Sequence, residues 1–411
     1  MDRALAFLPM AALLVFEHSI DQPAETIRRA LSHALVPYYP LAGRLAADAA
    51  GDVRIACTGE GVAFAGASAT CTLREARLSG PRPVVTAEDL TLTYAGQYSH
   101  GPPLLLVQVT EFSCGGFVVG VTWDHAATDG AGMAQFLQAV GEFARGRGSP
   151  SSSPSVVRPA RVDAALPELP PPIVTMADSI VRSKQNDDFP CSYITAPMSV
   201  VTRIKDEFHF RGSGGGQGTA ASCTAFDVFT AVMWKCRARA TISSAAGRDA
   251  PTALTFTVNV RKPAGAKDGY YGNVFSFGLA ASTLGEVADG DVLDLVKLVK
   301  DAKARAAHTF TDGAAYIADE MGGRLRGIDA YNILYVTSWW NLGFDDVDFG
   351  GGGAARVMGN MERKVVPACI LCGRKDRADG VAAMALCVKQ EHAEAFHAEL
   401  KRFIYPPSKV A

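Results

Sequence analysis

No apolar run in this 411-residue chain reaches the roughly 18 residues that a membrane-spanning helix needs. An excess of charge of one sign is also missing. Lys plus Arg number 40 and Asp plus Glu 42, for a net charge of -2 and a pI near 6.5. Proteins that live on nucleic acid or anionic membranes carry strongly basic surfaces, so both partners are read as absent. The nine cysteines are odd in number and follow no framework spacing, which fits free thiols in a reducing compartment and a cytoplasmic location. No asparagine opens an Asn-x-Ser/Thr sequon, in agreement with a chain that is not secreted. The two glycine stretches, Gly212 to Gly218 and Gly350 to Gly353, do not end in Gly-Lys-Ser/Thr, and neither sits in a strand–GxGxxG–helix unit. A P-loop and a dinucleotide fold are therefore not expected. No internal repeat is evident. What is present is apolar material: 48% of residues are hydrophobic and 20% charged, enough for a sizeable core. The length suggests two or three domains, or one fold of two similar halves.

The first apolar stretch, Ala4 to Phe16, has the length of a signal-peptide core. Asp2, Pro9 and the Glu17-His18 pair that follows without an A-x-A site favour a buried strand instead. Ala24 to Leu35 carries apolar residues at helical spacing and is closed by Pro37 to Pro40. Short strands follow, the last over Phe117 to Trp123, and a helix spans Gly130 to Gly146. Residues 147–172 are rich in Pro and Ser and read as a crossover between halves. In the second half, helices are expected over Phe226 to Ala240, Leu293 to Thr309 and His392 to Phe403. Strands are expected over Ala253 to Val260, Ile333 to Val336 and Val365 to Cys372. Cys369 and Cys372 form a lone CxxC. With no second ligand pair, it is read as two small apolar residues of a strand, not as a metal or redox site.

His125-Ala126-Ala127-Thr128-Asp129 lies between a strand end and a helix start, where rigid elements present loops for chemistry. Alone, HxxxD is a weak signal, and three readings compete. The histidine is structural, or the pair ligates a metal at i and i+4, or the histidine is a general base beside a structural carboxylate. The metal reading lacks a third ligand nearby and the HExxH glutamate.

Other segments bear on the choice. Tyr38-Tyr39-Pro40-Leu41-Ala42-Gly43-Arg44 precedes the HxxxD. Gly269-Tyr270-Tyr271-Gly272-Asn273, Thr337-Ser338-Trp339 and Asp348-Phe349-Gly350-Gly351-Gly352 follow it. Together and in this order they resemble the plant BAHD family of acyl-CoA-dependent acyltransferases, with its YPLAGR, HxxxDG, Y-[YF]-G-N, TSW-like and DFGWG segments. The resemblance spans nearly the whole chain. It implies an α/β fold of two similar domains with mixed sheets, like chloramphenicol acetyltransferase, with a channel between them. The division then reads 1–155 for the N-terminal domain with HxxxD, 156–180 for the crossover linker and 181–411 for the C-terminal domain with the DFGWG-like loop.

By the same resemblance His125 is the catalytic base at the channel centre. Asp129 is structural, points away from the channel and pairs with an arginine, for which Arg261 is the candidate. Asp348 is structural in its loop. Trp339 is a candidate oxyanion donor, with an ordinary core aromatic as its competing reading. Thr337 and Ser338 contact the acceptor. No bound cofactor or metal is implied. Acyl-CoA is the co-substrate, and the acceptor is the hydroxyl or amine of a small specialised metabolite. A monomer is expected. The Tyr270 to Asn273 segment favours benzoyl or hydroxycinnamoyl donors slightly over acetyl or malonyl. Lys235 and Lys262 are possible partners for the CoA phosphates, although either also reads as a solvated surface lysine.

Two departures from the family pattern stand out. Gly351 replaces the tryptophan of DFGWG, which predicts a looser loop. The chain also starts some 30 to 40 residues later than the resemblance suggests, leaving either a bare strand edge or an incomplete sequence. These departures motivate the alternative reading, a catalytically weak binder of CoA or of a small molecule with the same fold.

Overall fold

The computed structural model describes residues 5–47, 53–80, 83–94, 101–156, 175, 189–212, 222–242, 247–312, 323–361, 366–373 and 380–404. Most of the proposed linker at 156–180 and the glycine stretch after Gly212 lie outside the described residues. In chain order the principal elements are β1 Pro9–Phe16, α1 Pro23–Ala34, β2 Arg44–Ala47, β3 Val53–Ala56, β4 Ala63–Ala69, β5 Leu105–Phe112, β6 Phe117–Asp124 and α2 Gly130–Ala144. There follow β7 Ser192–Ala196, α3 Met198–Gly212, α4 Ala225–Thr241, β8 Pro251–Asn259, β9 Phe275–Thr283, α5 Val292–Asp312, β10 Ile333–Ser338, β11 Arg356–Asn360, β12 Ala368–Cys372, β13 Val381–Leu386 and α6 Gln390–Ile404.

Among the described residues these form two mixed sheets and one small hairpin, β2–β3. The first sheet runs β11-β1-β6-β5-β4, and the second runs β7-β13-β12-β10-β8-β9. The apolar N-terminal stretch is a buried strand, paired with β6 on one side and β11 on the other. It begins at Pro9, not Ala4, because residues 5–8 form a turn. Phe7 takes a positive φ of 66° there, and its N–H is held by Asp124. Proline is tolerated at the first residue of a strand. Strand β11 comes from the last third of the chain yet completes the first sheet, so the two halves interlock.

The alternation within the second sheet sets up the site. On β8, Leu254 and Phe256 belong to the core beneath α3, α4, α5 and α6. Thr255 and Thr257 alternate with them and face the opposite side. On β10, Leu334 and Val336 lie in the helix-covered core, and Tyr335 and Thr337 alternate likewise. Helix α4 is buried on nearly all sides, as expected for a helix in the middle of a core. It is capped by a Thr224–Asp227 capping box. Cys369 packs in the helix-covered core and Cys372 in the core shared with the first sheet. Three residues apart on one strand, the two thiols face opposite sides, so they do not converge on a ligand.

Candidate active site

Strand β6 ends at Asp124 and α2 starts at Gly130. The five residues between them are held from several directions. Asp129 is the N-cap of α2, and its Oδ1 accepts the Gly132 N–H at 3.0 Å. Arg261 forks onto the same carboxylate, Nη1 to Oδ2 at 2.9 Å and Nη2 to Oδ1 at 2.7 Å. The Val274 N–H adds a bond to Oδ2 at 3.0 Å. The Asp129 carboxylate thus accepts bonds from one guanidinium and two backbone amides, which tie α2 to Arg261 and Val274. Arg261 spends its remaining reach on the Gly272 carbonyl at 2.8 Å.

This stitching needs the chain around residue 271 to press against the start of α2. A Cβ on Gly132 would lie 1.8 Å from the Tyr271 carbonyl oxygen, so glycine is required there. Thr128 Oγ1 donates to the same carbonyl at 2.5 Å. Asn273, 1% exposed, reaches into the loop. Its Nδ2 donates to the His125 carbonyl at 2.8 Å, and its Oδ1 lies 3.1 Å from His125 Nδ1. The Phe275 ring sits 5.6 Å from the imidazole centroid.

His125 opens onto a cavity of about 550 Å³ drawn from both halves of the chain. Met10, Trp123 and Gly130 come from the first sheet and α2. Thr257, Phe275, Thr337, Ser338 and Trp339 come from the second sheet and its loops. A cavity of this size, largely apolar with a few convergent polar groups, is typical of small-molecule sites. Thr257 and Thr337 face each other on neighbouring strands, Oγ1 to Oγ1 at 3.0 Å. The Trp339 ring is 3% exposed and packs 6.1 Å from Trp123 and 5.8 Å from Phe344.

His125, Asp129, Arg261, Thr337, Ser338 and Trp339 therefore meet around one cavity, and Asp348 is not part of its lining. Asp129 and Arg261 stand at the cavity wall, at the first turn of α2, with both oxygens of the Asp129 carboxylate engaged by Arg261 and the backbone amides of Gly132 and Val274.

Asp348 ties its own loop. Its Oδ1 accepts the N–H groups of Gly350 at 2.8 Å and Gly352 at 2.9 Å. Arg145 Nη1 donates to its carbonyl oxygen and lies 3.6 Å from its Oδ2. Gly350 and Gly352 have positive φ of 122° and 97°, where side chains are disfavoured. Gly351 does not, and a Cβ on it would come within 3.1 Å of Ile20 Cγ2 and 3.3 Å of the His18 carbonyl. The N-terminal connection thus occupies the space beside Gly351, and the loop is tied more closely than its four glycines suggest.

Lys235 is neither a phosphate partner nor a surface lysine. It is 5% exposed, and its ammonium donates to the carbonyls of Ala288 at 2.8 Å and Gly290 at 2.5 Å, at the end of the short helix Leu284–Asp289. Burial, and then Arg239 nearby, lower its pKa to about 8. Besides Arg261, Lys303 of α5 lines the cavity, 2.5 Å from Asp227 at the start of α4. Lys262 is exposed. Asn273, Thr257 and Lys303 were not assigned roles by sequence reasoning. The only sequence signal for Asn273 was its place in the Tyr270 to Asn273 segment.

Asp124, beside the histidine, was also unforeseen. It is 5% exposed, and its carboxylate accepts the N–H groups of Ala126 at 2.9 Å and Phe7 at 2.8 Å. Burial pushes its pKa from 3.8 up to about 6, against those two bonds. The folded chain therefore holds a proton here at mildly acid pH that the unfolded chain has released. The resulting stability is fully present below the unfolded value and is lost as pH rises through about 6. Asp124→Asn removes this dependence. Urea unfolding of the two proteins at about pH 4 and about pH 7 should differ in pH dependence by about 2 kcal/mol. Identical pH dependences would contradict the assignment.

A family profile described as "Transferase family" matches residues 6–402. Acyl transferase 15 of Oryza sativa subsp. japonica is 38% identical, over 98% of this chain and 92% of the relative. A myricetin 3-O-glucosyl 1,2-rhamnoside 6'-O-caffeoyltransferase of Crocosmia x crocosmiiflora is 31% identical, over 93% of this chain and 88% of the relative. Among solved structures, vinorine synthase superposes with a TM-score of 0.71 at 18% identity, covering 96% of this chain and 90% of its own. F. graminearum TRI101 complexed with coenzyme A and deoxynivalenol superposes with a TM-score of 0.67 at 17% identity, covering 96% and 94%. At these identities the two structures speak to the fold, which is the same two-domain mixed α/β arrangement.

Proposed function

The chain belongs to the BAHD family of acyltransferases, and from that membership we propose that it moves an aromatic acyl group from coenzyme A to the hydroxyl or amine of a small specialised metabolite, with His125 as general base. The observation that supports this reading most is the placement of His125. It lies on a cavity formed by both halves of the chain, in a loop fixed by the Arg261–Asp129 pair.

A thioester is already activated, so the reaction needs two substrates held in line, a base near neutral pKa and an oxyanion donor. The His125 imidazole takes the proton of the acceptor as the acceptor heteroatom attacks the thioester carbonyl. The indole N–H of Trp339 donates to the oxygen as it becomes negative. The tetrahedral intermediate collapses, the carbon–sulfur bond breaks, and the thiolate leaves and receives the proton from His125. The acyl group passes directly between substrates in a ternary complex, without an acyl-enzyme. Thr337 and Ser338 hold the acceptor. Asp129 and Asp348 act through structure only. Lys303 offers a local cation for the phosphates of coenzyme A. We assign residues 1–155 and 181–411 to the two domains, joined by a linker at 156–180, and take the enzyme to be a cytoplasmic monomer. The nine cysteines without disulfides support the compartment. Among the described residues no helix is long and apolar enough to cross a membrane.

The aromatic preference follows from the wall. Trp123, Phe226, Phe275, Trp339 and Trp340 line the cavity, and ring–ring contacts add about 0.5–1.5 kcal/mol each beyond area burial. A donor panel of benzoyl-, hydroxycinnamoyl-, acetyl- and malonyl-CoA, read by thiol release with alcohol and amine acceptors, tests both parts. Aromatic donors should lead malonyl-CoA by about tenfold or more in kcat/KM. Absence of acceptor-dependent release with every donor would leave the weakly catalytic binder as the better account.

A further inference from the structure

We propose that Asn273 is a positioning residue for the base: it holds the His125 imidazole in the tautomer protonated at Nδ1, so that Nε2 carries the lone pair that accepts the proton. This rests on the reading of His125 as the base. The assignment follows from what each atom can do. The carbonyl oxygens of His125 and Ala126 only accept hydrogen bonds, and they lie 2.8 and 3.4 Å from one end of the Asn273 amide. That end is therefore the nitrogen. The other end is then the oxygen, which also only accepts, and it faces His125 Nδ1 at 3.1 Å. The hydrogen of that bond must sit on Nδ1, which fixes the neutral ring with its lone pair on Nε2.

The amide is poorly placed to turn over. It is 1% exposed, and both of its chain neighbours are tied. The Gly272 carbonyl accepts from Arg261 at 2.8 Å, and the Val274 N–H donates to Asp129 at 3.0 Å. The ion pair thus reaches the base indirectly, by holding the segment that carries Asn273. The histidine belongs to the chain before the linker and its orienting amide to the chain after it. Packing of the two halves is then what sets the tautomer, and a base with the wrong tautomer would present an N–H where a lone pair is needed.

Two variants and one spectroscopic measurement test this. Asn273→Ala should lower kcat roughly 10- to 100-fold, with KM for donor and acceptor within about threefold of the parent. Asn273→Asp places a carboxylate against Nδ1, which favours the imidazolium and moves the acid limb of the pH–rate profile up by about one unit or more. A role limited to stabilising the fold would leave that limb in place. Nitrogen NMR of the chain labelled at its histidine rings reads the tautomer without turnover, with the His125→Gln spectrum assigning the signal. It should show Nδ1–H in the parent protein, and Nε2–H or a mixture in Asn273→Ala. An Nε2–H tautomer in the parent protein overturns the proposal. So does an unmoved limb in Asn273→Asp together with a parental kcat in Asn273→Ala. The spectrum remains decisive even if no donor is turned over, so a failure of the acyl-transfer reading is seen separately, in the thiol assay alone.

Discussion

His125→Ala is expected to lose acyl transfer by a factor on the order of 10² or more while melting within a few degrees of the parent protein. The size of the loss follows from the division of labour in the cavity. A thioester needs no metal and no covalent nucleophile, so under the proposed mechanism removing the base removes the main chemical contribution assigned to the chain and leaves substrate alignment and the donor role proposed for Trp339. Stability is expected to survive because the loop is held mainly through other groups. The His125 N–H donates to the Leu8 carbonyl and its carbonyl accepts from Asn273, and both bonds persist in alanine. The losses include the side-chain hydrogen bond to Asn273, worth about 0.5–1.5 kcal/mol, and the ring contact with Phe275. Near-parental turnover in a folded variant would sink the mechanism.

Asp129→Ala is expected to act through the fold. The Arg261 side chain is 20% exposed and that of Asp129 9%, so the variant leaves a largely buried guanidinium without its carboxylate. Breaking such a pair costs about 3–5 kcal/mol. The helix also loses an N-cap, worth about 1 kcal/mol, and the Val274 N–H loses its acceptor. For a chain of this size the melting temperature should fall by roughly 5 °C, and activity should fall with it, since the same bonds place Asn273 against the base. The double variant Asp129→Ala, Arg261→Met should be less destabilised than the sum of the two single variants, because the uncompensated charge is gone. A parental melting curve with a purely catalytic defect in Asp129→Ala would mean that the carboxylate takes part in the chemistry.

Much of the frame behind these results is legible in the sequence, because it is written in local periodicity. The strand at Phe117, the helix after Asp129 and the helix from Ala225 carry alternating or helical apolar spacing, and the structure places them within a residue or two. The motif residues are legible by resemblance. What local pattern does not carry is long-range partnership. Asn273 and His125 are 148 residues apart, and nothing in the spacing of either says that an amide will face an imidazole. Strand β11 follows the Asp348 loop in sequence but pairs with β1, a choice made by topology. Lys235 looks like a surface lysine because its charge is visible and its surroundings are not. It sits in a helix apolar on nearly every side, and only the open carbonyls at the end of the helix Leu284–Asp289 make its burial tolerable. Asp124 is hidden for the same reason: its acidic side chain ends a buried strand, and its two amide donors lie on either side of it in space. At Gly351 the family pattern predicts a missing packing group, but Ile20 and the His18 carbonyl already stand there.

The central claim is that the His125 imidazole takes the acceptor proton. The measurement that meets it most directly is the pH dependence of kcat/KM for the acceptor, in the parent protein and in His125→Ala, at saturating donor. The parent protein should lose activity on the acid side with unit slope as one group takes up a proton. The residual rate of His125→Ala should show no such limb. The same acid limb in His125→Ala would assign the titrating base to another residue and contradict the account.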